Sequence, residues 1–549
     1  MSGVRRYDVL VIGSGFGGSV AALRAAEKGY TVGVLEAGRR FGPDDFPRSS
    51  WDARRFLWMP RLRCFGIQRV TLLRDALVLS GAGVGGGSLV YANTLADPLD
   101  GFWADPQWAG ITDWRDELAP HYATARAMLG AAQVPHDTPA DVVMRLLGER
   151  LGVAETFRRT DVGVWFGEPG VEVDDPYFDG AGPPVSGCTH CGGCMVGCRY
   201  GAKNTLDRNY LWLAERLGVE VRPEQEAIGL APLPGGGYVV LARRPGRRNE
   251  VLARYRADQI VLAAGVLGTL RLLLNARERG RLQHLSPRLG ENVRTNSEAI
   301  VGASARAVDI DYSRGVAITS SLEPDSETHL EPVRYPPGSN AMGLLGTVLV
   351  DGGGRVPRQI RFLAQVLRAP HAFARSLSVR RWSERTIILL VMQTRRSALR
   401  LRLRSGRLVS EPSADPVPSY IPVANEAARI VAELVGGDPG SALNEVLLDV
   451  PTTAHMIGGA CIGASPDQGV VDAFHRVFGH PGLHVVDGAA VSANLGANPS
   501  LTILAKAERA LSLWPMKGQR DPRPPLGSPY ARIDPVLPSG SAAAASTDE

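Results

Sequence analysis

The sequence predicts an α/β protein built on a Rossmann-like dinucleotide-binding unit. Residues 7–36 read strand, glycine turn, helix, strand, and β-rich sections follow at 219–264 and 298–445. A second glycine-rich segment, LSGAGVGGGSLVYANT, carries too many glycines for an ordinary helix or strand.

The first element is the most specific. In VLVIGSGFGGSVAALRAAEKGYTVGVLEAG, Gly13, Gly15 and Gly18 hold the G-x-G-x-x-G positions. The first glycine permits a tight turn, the second lets a pyrophosphate approach the backbone, and the third lets helix and strand pack closely. The helix N-terminus then offers free N–H groups to an anion. Glu36 ends the next strand, where a carboxylate accepts ribose hydroxyls and repels a 2′-phosphate, favouring FAD or NAD over NADP. The fingerprint does not separate FAD from NAD. The second glycine segment suits a large flat ligand lying against exposed N–H groups; a flexible loop is the competing reading.

Further along, helical patterning covers residues 119–151, and a long surface loop rich in Gly, Pro and Asp covers 160–187. Leu206, Tyr210, Leu213 and Leu217 share one face of a helix expected over 204–217, with Gly218 as its stop. Another helix is expected over 267–275. SERTIILLVMQT and SALRLRLRSGRLV read as a strand pair. Past Leu513 the composition turns to Pro, Ser, Gly and Ala, the signature of a disordered tail. Residues 355–381 interleave Phe362, Leu363, Val366, Leu367, Phe373 and Leu377 with arginines. That stretch is either a lid making transient membrane-surface contact or an amphipathic helix packed on the body with a solvated arginine face.

Bulk properties exclude several classes. A chain of 549 residues, 44% hydrophobic, affords a substantial core. No run of eighteen uncharged apolar residues predicts a membrane span. The net charge of +5 is almost all arginine and is spread along the chain. With no nucleic-acid-binding motif, a nucleic-acid partner is not expected. Arg5-Arg6 lacks the apolar segment and cleavage site of an export signal, so a cytoplasmic protein is expected.

Four blocks together resemble the glucose–methanol–choline (GMC) family of flavin oxidoreductases, most closely its cholesterol-oxidase branch. They are GSGFGGSVAALRAAEKGYTVGVLEAG, GAGVGGGSLVYANT, VLAAGVLGTLRLLLNARERGRL and the segment 455–509. The resemblance implies an FAD-binding Rossmann-like domain interleaved with a sheet-based substrate-binding domain. The boundaries assigned are 1–40, 78–95, 203–297 and 470–515 for the first, 41–77, 96–202 and 298–469 for the second, and 516–549 for the tail. It implies noncovalent FAD, with Gly83, Gly86, Ser88 and Asn93 along the flavin and pyrophosphate, Gly265 towards the adenine, and Asp487-Gly488 towards the ribityl chain. No histidine lies between Gly81 and Asn93, which excludes the family's covalent attachment there.

The implied activity is oxidation of a CH–OH group on an apolar, sterol-like alcohol to a ketone, with hydride transfer to flavin N5. The matching catalytic positions are His455, which hydrogen-bonds the substrate oxygen, and Asn498, whose amide holds the substrate or the flavin. Pro499 starts the helix that aims its N-terminus at the flavin. His475 and His480 are secondary candidates. The branch also isomerises a steroid double bond with a carboxylate; Glu331 and Glu384 are the candidates, either of which also reads as an ordinary surface or pairing charge.

Cys188, Cys191, Cys194 and Cys198 follow C-x2-C-x2-C-x3-C, the spacing of an iron–sulfur run, with zinc as a second metal reading and reduced thiols or a labile disulfide as the plain one. A cluster would make the protein a dehydrogenase passing electrons to a non-oxygen acceptor.

Overall fold

The computed structural model describes residues 4–247 and 251–538. A seven-stranded sheet forms the dinucleotide side. Arg5–Ile12 runs parallel between Val32–Leu35 and Ala253–Leu262, with Glu220–Arg222 beyond Val32–Leu35. Leu483–Val485 adds a further parallel pairing to Ala253–Leu262, and the hairpin Glu226–Pro232/Tyr238–Arg243 joins antiparallel. Val9, Leu10, Val11 and Ile12 are all buried, which is why the first strand is a continuous apolar run: helices and loops cover both faces.

The two ends of the chain meet on this sheet. Helix Phe16–Glu27 packs against helix Ser500–Ser512. Just past the first helix, Lys28 Nζ donates to the carbonyls of Leu511, Ser512 and Trp514 at 2.6–2.8 Å. It thereby satisfies acceptors that the end of the last helix leaves open. Arg24 and Tyr210 hold Glu508 from the same side.

A second sheet of seven strands, the one expected to serve the substrate side, is wholly antiparallel. Its order is Gly346–Val348, Gly437–Ala442, Ala299–Ala305, Thr386–Gln393, Thr328–Val333, Ser320–Asp325, Arg158–Arg159. The period-2 rule divides its faces. Ile387, Leu389 and Val391 pack under helices Pro139–Leu151 and Pro422–Leu434, while Leu390 and Met392 turn to the other face beside Ile318 and Val333.

Several expectations are corrected. Thr386–Gln393 does not pair with the segment after it; Leu399–Arg404 forms its own hairpin with Arg407–Pro412 in a separate sheet. The helix expected over 204–217 spans only Tyr210–Arg216, because Asn209 caps it by accepting from the Tyr210 N–H. The helix expected over 267–275 is longer, Gly265–Glu278. Helix Trp114–Leu129, grouped with the substrate side, joins the dinucleotide-side core through Trp114, Leu118 and Tyr122. The buried Arg509–Glu117 pair ties it there. The tail is no free coil over 516–538: Tyr530 donates to Glu117, and Arg476 donates to the Pro524 carbonyl. Residues 539–549 lie outside the described residues.

Lys28→Met removes three donors from buried carbonyls and is expected to lower stability by about 2 kcal/mol. Thermal unfolding of the holoprotein checks this, and an unchanged midpoint would show that the contact is idle.

Candidate active site

A cavity is lined by residues of both sheets. Its lining includes the polar Arg69, Gln225, Glu226 and Arg271 and the apolar side chains Met195, Ile318, Val333, Tyr335 and Leu390. Of the residues singled out in the sequence, Gly13, Gly15, Glu36, Gly86, Gly265, His455, Asp487, Gly488, Asn498 and Pro499 line it.

Gly18, Gly83, Ser88 and Asn93 do not line it; they stand behind the wall. A Cβ on Gly18 would fall 2.0 Å from the Gly13 carbonyl oxygen, so this glycine serves helix–strand packing. Gly83 accepts from Ser14 Oγ, and Ser88 Oγ donates to the Gly85 carbonyl and accepts from the Leu206 N–H. Asn93, at φ 73°, is buried beside the Cys194 thiol.

Three helix N-termini open into this cavity: those of Phe16–Glu27, Gly265–Glu278 and Ser500–Ser512. None has a side-chain cap. Uncapped first turns present free N–H groups and partial positive charge, the natural partner of a diphosphate or another anionic group. The two glycine turns meet face to face. Gly86 sits at φ +54°, and a Cβ there would lie 2.5 Å from the Gly15 Cα, so only bare backbone fits between the two turns. Glu36 is pinned by the N–H groups of Ser14 and Gly38 and by Ser14 Oγ, at 2.7–3.1 Å. Asp487 accepts from Thr269 Oγ1 at 2.5 Å and from the Ala489 N–H; burial pushes its carboxyl up to about 6. These residues fit an extended FAD, with the acceptors and the open N–H groups on the same wall.

The chemistry-bearing end rests on groups that sequence reasoning missed. His455 Nδ1 meets Glu298 Oε1, whose carboxylate is wholly buried and accepts the Ala454 N–H through its other oxygen at 2.8 Å. Burial pulls the imidazole down, but Glu298 and, more weakly, Glu331 outweigh it and hold His455 above its ordinary value. Asn498 Nδ2 donates to Glu331 Oε2 at 3.2 Å, which leaves Asn498 Oδ1 buried and without a partner. Glu331 also binds His329. Of the two carboxylates considered for isomerisation, Glu331 therefore belongs to the site, whereas Glu384 binds its neighbour Ser383.

Local backbone strain aims these groups. Asn296 and Ser297, immediately before Glu298, both take left-handed conformations (φ 60° and 45°). Such a pair costs ~1–3 kcal/mol per residue. It lets Asn296 clamp the Gly496 N–H and the Ala497 carbonyl, just before Asn498, while Glu298 turns to His455. Lys203 is a further missed residue: its Nζ donates to the carbonyls of Leu89, Tyr91 and Cys194, stapling the second glycine segment to the cysteine turn.

The other candidates are structural. His475 Nδ1 donates to the Val485 carbonyl, and burial pushes its imidazole down to about 3. His480 is likewise lowered by burial. Among the described residues no three His, Cys, Asp or Glu side chains are placed to hold a metal ion. The four clustered cysteines are free; burial pushes Cys188 up to about 12 and raises Cys194.

Comparison with known proteins agrees with the cavity. Residues 409–507 match the GMC oxidoreductase family model, and residues 8–44 match the FAD-binding domain model. A cholesterol oxidase of Mycobacterium tuberculosis is 52% identical, over 97% of this chain and 95% of its own. One from Acinetobacter baumannii is 42% identical, over 93% and 95%. Among solved structures, pyridoxine 4-oxidase from Mesorbium loti superposes with a TM-score of 0.58 at 16% identity, over 92% of this chain and 98% of that one; at that identity it speaks for the fold alone.

Gly86→Ala closes the gap between the glycine turns and is expected to yield folded protein largely free of flavin. The ratio of flavin to protein absorbance after purification measures this; full flavin content would contradict the cradle described.

Proposed function

This chain belongs to the GMC oxidoreductases and depends on FAD, and on that footing we propose that it oxidises the secondary hydroxyl of an apolar, sterol-class alcohol to a ketone. The observation that carries the proposal is the mixed lining of one cavity. His455 and Asn498 line it together with the apolar side chains Met195, Ile318, Val333, Tyr335 and Leu390. A hydroxyl can be held by the polar pair while a hydrocarbon skeleton is buried against the rest.

Glu298 engages His455 Nδ1 and leaves Nε2 for the substrate. Nε2 accepts the hydroxyl proton as the carbinol C–H bond breaks, and the carbonyl forms. Bound FAD supplies the hydride acceptor. The imidazolium so formed is stabilised by Glu298 and then Glu331, the same carboxylates that raise its basicity. Asn498 Oδ1 is a free acceptor for a hydroxyl or a cofactor N–H, and Glu331 fixes its amide. The open N-terminus of Ser500–Ser512 favours negative charge beside it. The two relatives are named oxidases, which supports oxygen as the final acceptor. Six free thiols suit a reducing, cytoplasmic setting.

Anaerobic addition of cholesterol should bleach the flavin absorbance, and air should restore it. Bleaching by short alcohols but by no sterol would overturn the substrate class. Bleaching that air does not reverse would move the protein to the dehydrogenases.

A further inference from the structure

A second cavity, of about 980 Å³, adjoins the first and shares Arg69, Glu226, Leu267 and Arg271 with its lining. The hairpin Glu226–Pro232/Tyr238–Arg243 contributes one face of it. Tyr238, Val240 and Ala242 turn into the core, so strand alternation leaves Val239, Leu241 and Arg243 half-buried on the other side. Arg254, the register partner of Leu241 on the neighbouring strand, joins that side. Helix Gly265–Glu278 adds Leu267, Arg271, Asn275 and Arg279, which recur every four residues and so form one stripe. Side chains from the 58–73 stretch and from the turn at Gly406-Arg407 complete the lining.

The signs of charge are sorted here. The chain as a whole is nearly balanced, with 61 basic and 56 acidic side chains. The described lining of this cavity holds nine arginines and one acid. A chain-wide bias towards arginine explains many arginines but not the missing acids. The one acid, Glu226, is already engaged by Arg243 at 2.9 Å and by Arg271 at 3.1 Å. Arg61, Arg254, Arg281 and Arg407 are exposed and have no carboxylate partner among the described residues. Arg69 has none either. Its guanidinium lies over the Trp58 ring, 5.8 Å from the centroid, and burial together with Arg271 holds it below the usual guanidinium range. Like charges gathered in this way repel one another until an anion arrives.

We propose that this cavity binds a soluble organic polyphosphate carrying an apolar arm, the chemistry of a coenzyme A thioester. Guanidinium forks match phosphate oxygens in pairs. Val239, Leu241, Leu267 and Leu272 give the arm a surface to cover. The volume is that of a small-molecule site. Single-stranded nucleic acid asks for aromatic platforms. The one aromatic side chain in the described lining, Trp58, is buried and covered by Arg69. The occupant would lie next to the FAD cavity across Arg69 and Arg271, and its binding does not depend on the sterol reading.

Isothermal titration of the FAD-loaded protein with dodecanoyl-CoA tests this. Saturable binding at one site is expected, weakening strongly at high salt. Coenzyme A without the acyl chain should bind at least about tenfold more weakly, the loss that two unburied methylenes alone would cause. Arg254→Glu/Arg407→Glu should weaken the binding of both probes at least about tenfold. Leu241→Gln should erase most of the difference between them. Each variant should keep wild-type flavin content and thermal midpoint. No saturable binding by the wild type, or equal binding by the arginine variant, would overturn the proposal. Release of FAD in proportion to the thioester bound would also overturn it, since the cavity would then belong to the cofactor's own site. So would DNA held as tightly as the thioester and lost in the same arginine variant, which would make the surface a nucleic-acid site.

Discussion

A wholly buried carboxylate, Glu298, stands against His455, and much of the surrounding structure holds it in that place. A carboxylate without water around it costs several kcal/mol unless partners replace the solvent. Here the replacements are the imidazole and the Ala454 N–H. Behind it lies Glu445, whose carboxyl is pushed up to about 8 by burial, with Glu298 adding to the rise. A neutral Glu445 spares Glu298 a like charge beside it.

The fold makes this contact by joining pieces far apart in the chain. Glu298 precedes a strand of the substrate-side sheet, His455 follows the short strand Thr452–Thr453, and Asn498 opens the last helix on the dinucleotide side. Asn296 and Asn494 lock the first to the third: the Asn296 N–H donates to Asn494 Oδ1, and the Asn296 amide grips the loop before Asn498. The strain stored at Asn296 and Ser297 is the cost of turning one segment towards both functional side chains. The cofactor wall has a simpler logic, since glycine turns and uncapped helix starts supply donors without side chains.

What the sequence discloses follows from how local each signal is. The first glycine turn, Glu36 and the Asn498-Pro499 helix start announce themselves within a few residues, and all line the cavity. Glu298 is a single acid just before an apolar strand and Glu331 a single acid within one, and their partners lie more than a hundred residues away, so no window of sequence joins them to His455 or Asn498. An acid inside a buried strand was the available clue. The helix expected over 204–217 failed on its first half for a similar reason: Asn204, Thr205 and Asn209 spend their side chains and backbone on turns, which the apolar spacing of Leu206 and Tyr210 masked. The packing of helix Trp114–Leu129 was not legible either, because its partner, Arg509, sits nearly four hundred residues later.

The most direct test of the account is the pH dependence of anaerobic flavin reduction by sterol in the wild type and in Glu298→Gln. A base must be deprotonated to accept the hydroxyl proton, so the wild-type rate should fall as pH drops through the raised value of His455. Removing the carboxylate lowers that value. The fall should therefore move to lower pH, and the plateau rate should drop by roughly 10²-fold, with Glu298→Asp recovering part of both. An unshifted profile at an undiminished rate would contradict the claim that the buried pair sets the histidine's basicity.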